Sequence, residues 1–91
     1  MYDITDYSFK QADKLGVEIK PSKNKKKKID VYKAGKFVTA IGARGMGDYP
    51  FYIKTEGKKY ADERRRLYKI RHDKFRNIKD STSFFADKIL W

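Results

Sequence analysis

Apolar and polar residues alternate most regularly over residues 29–41, IDVYKAGKFVTAI, and this predicts a β-hairpin turning at Ala34-Gly35. A two-residue loop there forces Ala34 to positive φ, which a Cβ disfavours. It also sets Tyr32 opposite Phe37 and Val31 opposite Val38. A three-residue loop, with only Gly35 left-handed beside a bulge, pairs Val31 with Phe37 and Ile29 with Thr39. That register gathers Ile29, Val31, Phe37, Thr39 and Ile41 on one face, and is the expected one. Residues 58–76, KKYADERRRLYKIRHDKFR, follow the other period. Tyr60, Ala61, Leu67, Tyr68 and Phe75 fall on one helical stripe, with Arg64 and Arg71 inside it. Free of proline and glycine, the segment predicts one helix roughly 28 Å long.

Shorter signals fill in the rest. Ser8 and Gln11 form a capping-box pattern for a helix over 8–15, and Gly16 suits its left-handed end. Residues 17–20 alternate as an edge strand stopped by Pro21. Residues 42–48 read as a glycine-rich connector without a phosphate-loop or dinucleotide fingerprint. Asp48 caps a single helical turn over 49–53, where Pro50 is tolerated early. Ser81 or Thr82 caps a last helix that buries Phe85 and Ile89. The expected class is α+β: a small antiparallel sheet built on the hairpin, packed against one long basic helix and a short C-terminal helix. Ninety-one residues suggest a single small basic domain over 1–91. Within it, 1–21 holds the short first helix and strand, and 22–28 a basic loop.

Charge sharpens this outline. The chain carries 23 Lys and Arg against 12 Asp and Glu, a net of +11. Residues 23–28 supply +5 of it and the long helix +6, so the remainder is balanced. Two concentrated basic zones imply an acidic partner: nucleic acid or acidic protein faces, rather than a membrane. The lysine run has two open readings. It is a solvated loop that keeps a sheet edge from pairing, or an arm that grips phosphates or carboxylates. The expected partner-binding set is Lys23, Lys25, Lys26, Lys27, Lys28 and Arg44, with Arg65, Arg66, Lys69, Lys74 and Arg76 on the outward side of the helix. With no cysteine and one histidine, thiolate sites are excluded, and no metal or other cofactor is expected. The chain has no membrane-length apolar run and no secretory start, which suggests a soluble, non-secreted protein.

Reactive groups are sparse. His72 sits between Arg71 and Asp73, whose side chains point away from it on a helix, so it lacks an orienting carboxylate. Ser81 and Ser83 read as caps rather than nucleophiles. The expectation is a binding or structural protein, not an enzyme. Tyr49, Phe51, Tyr52 and Tyr60 lie near basic residues, an arrangement that can stack bases, although a small core also needs its aromatics. Arg64 and Arg71, inside the stripe, are expected to be structural, pairing with Asp30, Asp48 or the terminal carboxylate or lying over tyrosine rings.

The motifs DVYKAGKFVTAIGARG, GDYPFY, DERRRLYKIRH and SFFADKILW follow one another in order over residues 25–91. This arrangement resembles small basic proteins of unknown function from large double-stranded DNA viruses and phages. The resemblance implies a viral product carried in the particle or present in the infected cell. It also implies that Arg71 and His72 tie the long helix to the end at Leu90 and Trp91. The function expected from the two basic zones is non-enzymatic binding of phosphates, in DNA or another nucleic acid of such a viral setting, without sequence specificity. The alternative is a minor capsid or cement protein whose basic surface binds acidic faces of other virion proteins.

Overall fold

The computed structural model describes residues 2–91. Its element order is α1 (Asp6–Leu15), β1 (Glu18–Pro21), β2 (Lys27–Lys33), β3 (Lys36–Ala43), α2 (Tyr49–Glu56), α3 (Lys58–Arg71) and α4 (Thr82–Leu90). The class is α+β, with one three-stranded antiparallel sheet in the order β1-β2-β3. The chain divides into two compact units, Met1–Met46 and Gly47–Trp91.

The first unit holds α1 and the sheet. Thr5, not Ser8, caps α1: its hydroxyl oxygen accepts from the Ser8 N–H at 3.2 Å, and Gly16 closes the helix in the left-handed region. Ser8 lies a turn further in and is fully buried. Strand β1 is the sheet edge and ends on Pro21, whose missing N–H costs nothing there. Ile19 faces Val31, which faces Thr39, and Ile29 faces Ile41. Ile19, Ile29, Val31 and Ile41 are all buried, so the strand period has placed one apolar face inward.

The hairpin corrects the expected register. Its loop is the two-residue one: Lys33 pairs with Lys36 and Tyr32 with Phe37, and Ala34 takes φ 52° beside Gly35 at 78°. A bulge then shifts the pairing, so Val31 still reaches Thr39 and Ile29 reaches Ile41. Phe37 is thereby turned off the apolar face. It meets Tyr32 edge-on at 5.9 Å and stays 58% exposed. The tight loop matches strand twist well enough to hold an alanine in a left-handed conformation that costs it about 1–2 kcal/mol. Ala34→Asn is therefore expected to raise the melting temperature by about 4 °C or more, because asparagine tolerates this turn position. An unchanged or lower melting temperature in calorimetry would count against the strained turn.

The second unit holds α2, α3 and α4. Asp48 caps α2 as expected, accepting from the Phe51 N–H at 3.0 Å, but the helix runs two turns rather than one. Gly57 alone joins α2 to α3 at φ 93°, a value only glycine adopts without strain. Helix α3 is shorter than expected, ending at Arg71 and not Arg76. His72 leaves helical geometry at φ −105° and ψ 10°, its ring stacks on that of Tyr68 one turn back with centroids 4.2 Å apart, and the chain continues in turns. The buried stripe is narrow: Ala61 and Tyr68 are inside, whereas Tyr60, Leu67 and Phe75 are exposed. Ser81 caps α4 through the Phe84 N–H, and α4 buries Phe85, Ile89 and Leu90.

Candidate anion-binding turn

The basic run is not one loop. Lys27 and Lys28 belong to β2, and Lys28 is buried with its ammonium 5.4 Å from the Tyr2 ring centroid. Only residues 22–26 form the β1–β2 turn, and polar groups build it without using a lysine side chain. The buried Asp30 carboxylate accepts from the Ser22 hydroxyl at 2.6 Å and from the Lys23 N–H at 3.2 Å. Ser22 Oγ in turn accepts from the Asn24 N–H at 3.0 Å. Asn24 Oδ1 accepts from the Lys26 N–H at 2.9 Å, and the Asn24 carbonyl from the Lys27 N–H. Serine and asparagine suit this work because their short side chains bond the backbone two residues on.

A further bond, Arg44 N–H to the Lys26 carbonyl at 3.0 Å, brings the end of β3 alongside. Ser22, Lys23, Lys25 and Arg44 line an open depression of about 460 Å³. Lys23, Lys25, Lys26 and Arg44 are exposed, and none forms an ion pair among the described residues. Four cations therefore stand on a frame that is already hydrogen-bonded. Such a site can accept the oxygens of an anion at small cost in backbone ordering. The sequence pattern Pro21-Ser22-Lys23-Asn24 marked a turn. The part played by Asp30 was not legible, because it depends on strand register.

The helix cations are differently placed, and this corrects the expected outward set. Arg66 is bidentate on Glu63, at 2.6 and 3.1 Å. Lys69 reaches the fully buried Asp87 at 2.7 Å. Arg76 pairs with Asp73 at 3.1 Å and lies 3.9 Å from Asp87. Arg65 lies on the ring of buried Tyr49, 3.4 Å from its centroid, and Tyr49 donates its hydroxyl hydrogen to Asp62. Of that set only Lys74, near the Phe75 ring, is exposed without an ion pair among the described residues.

The expected anchors also separate. Tyr68 is sandwiched between His72 and Trp91, the latter stacked at 4.5 Å and 10°. Burial, with the charge of Asp87 next, pushes the Tyr68 hydroxyl up to about 12. Arg64 lies over Tyr52 at 5.5 Å. Arg71 is exposed and makes no ion pair among the described residues. Burial first, and then the Arg71 charge, hold His72 below its ordinary 6.5. The folded unit thus favours the neutral imidazole. Its contribution to stability is complete above about pH 6.5 and declines as pH falls through the lower folded value. Acidification from pH 7 to about 5 is expected to lower the melting temperature, and less so in His72→Phe. Identical pH profiles for the two proteins would contradict this assignment.

Among the described residues, no group of three or more His, Asp and Glu side chains is placed to hold a metal ion, and no helix is long and apolar enough to cross a membrane. No family model matches this chain, and no curated protein or solved structure matches it. Fold and site together define an α+β protein whose hydrogen-bonded β1–β2 turn carries cations without ion pairs among the described residues.

Proposed function

We propose that this chain is a non-enzymatic protein that binds nucleic-acid phosphates without sequence specificity, with the β1–β2 turn as its grip. The observation that supports this reading is the pairing pattern. Among the described residues the cations of the turn are exposed and without ion pairs, whereas most of those expected on the long helix are engaged within the protein. Phosphate contacts position a protein on nucleic acid but carry no sequence information, so low specificity follows. The resemblance to small basic proteins of DNA viruses favours DNA as the polymer and the virus particle as the setting.

Four cations neutralising four phosphates give a log–log salt slope near −3.6 on duplex DNA. Replacing Lys23, Lys25 and Lys26 together by serine is expected to reduce that slope to about −1. Arg66→Gln should leave it unchanged. Titrations between low and physiological salt check both. A wild-type affinity indifferent to salt, or a slope that survives the triple substitution, refutes the assignment to this turn. A second reading, a minor capsid or cement protein, draws support from exposed Leu67, Ile70, Phe75 and Ile78. It requires the protein to remain with a shell emptied of its genome.

A further inference from the structure

The second unit carries an exposed aromatic cluster that the turn does not explain. Phe51 is 52% and Tyr60 45% exposed. Tyr52 stands between them. Its centroid lies 5.5 Å from Phe51 at 71° and 5.4 Å from Tyr60 at 62°. An edge-on neighbour covers at most one face of a ring, so these contacts hold Phe51 and Tyr60 in place while leaving ring surface open. Tyr52 itself is fixed. It touches Trp91 at 6.1 Å, Arg64 lies over it, and a Cβ at Gly47 would overlap its ring.

The surroundings are cationic. Lys54 lies one helical turn from Phe51, and Arg64 follows Tyr60 by four residues on the same helix face, while Lys59 precedes Tyr60 in the chain. None of the three has an ion pair among the described residues. Nearby acids are largely consumed: Asp62 by Lys58 and Tyr49, Glu63 by Arg66, leaving Glu56. An apolar protein partner would have to desolvate these cations, whereas a polyanion with flat apolar rings satisfies both features at once. A duplex hides its base faces, so the strand must be single.

We infer that Phe51 and Tyr60, braced by Tyr52 and bordered by Lys54 and Arg64, form a stacking surface for the bases of a single-stranded nucleic acid. This surface lies outside the turn, and the inference rests on the phosphate-binding reading for its choice of polymer. Each open ring takes one base by face-to-face contact, and the cations meet the adjoining phosphates. Preference among bases is weak, because every base offers a π-face.

The test uses the full chain and two labelled strands about fifteen nucleotides long, oligothymidylate and an abasic strand with the same backbone. Fluorescence anisotropy is expected to show the thymidine strand bound at least about 10-fold more tightly. The double variant Phe51→Ala, Tyr60→Ala should lower that affinity about 10-fold or more and leave abasic binding unchanged. The paired substitutions Phe51→Trp, Tyr60→Trp should restore it, which separates stacking from a loss of fold. Equal binding of the two strands, or an unaffected alanine variant, overturns the stacking surface while leaving the turn intact. If neither strand binds the wild type, the phosphate-binding reading falls with it.

Discussion

Replacing Lys69 by methionine is expected to destabilise the second unit by about 3 kcal/mol, and replacing Asp87 by asparagine by only about 1–2. The asymmetry follows from exposure. The Asp87 side chain is fully buried, whereas Lys69 is 32% exposed. Among the described residues, the carboxylate without Lys69 keeps only Lys88 at 3.6 Å and Arg76 at 3.9 Å, and Asp87 Oδ2 has no hydrogen-bond partner. A stranded buried anion is costly, while a released ammonium near the surface rehydrates. Asparagine also keeps an oxygen that can accept from Lys69. Urea unfolding of the two variants decides the matter. The explanation fails if the order reverses or if Lys69→Met costs less than about 1 kcal/mol.

The second large effect belongs to Asp30. Asp30→Ala is expected to cost about 2–3 kcal/mol, because it strands the buried Ser22 hydroxyl and releases the Lys23 N–H. It should also weaken phosphate binding by loosening the turn that presents the lysines. Asp30→Asn separates geometry from charge. It retains an acceptor for the turn and removes a negative charge beneath four cations, so affinity at low salt should rise a few-fold while stability falls modestly. If asparagine weakens binding as much as alanine, the turn does not work as described.

These carboxylates also mark what a sequence discloses and what it withholds. The antiparallel sheet, the Asp48 and Ser81 caps, the Gly16 helix end and the edge position of β1 all follow from local rules, and they were legible. The positive φ of Ala34 was not legible, because strand twist, a property of the paired hairpin, outweighs one residue's dislike of that conformation. The end of α3 at Arg71 was not legible either, because residues 72–76 hold no glycine or proline to mark a stop. For the site, the charge of residues 23–28 was plain, but its division between a free turn and a buried strand depended on register. Likewise Lys69 and Asp87 are eighteen positions apart, so only the folded unit shows that this cation is taken. Exposed and engaged lysines look alike in a sequence.

Trp91 is the chain's single tryptophan, and it stacks on Tyr68 within the second unit. Its emission therefore serves as a private reporter of that unit's melting, whereas circular dichroism sums over helices and sheet together. Superimposable transitions mean that the sheet and the three-helix part unfold cooperatively. An offset between the two curves makes each unit a foldon in its own right, with its own susceptibility to proteases and its own tolerance of mutation.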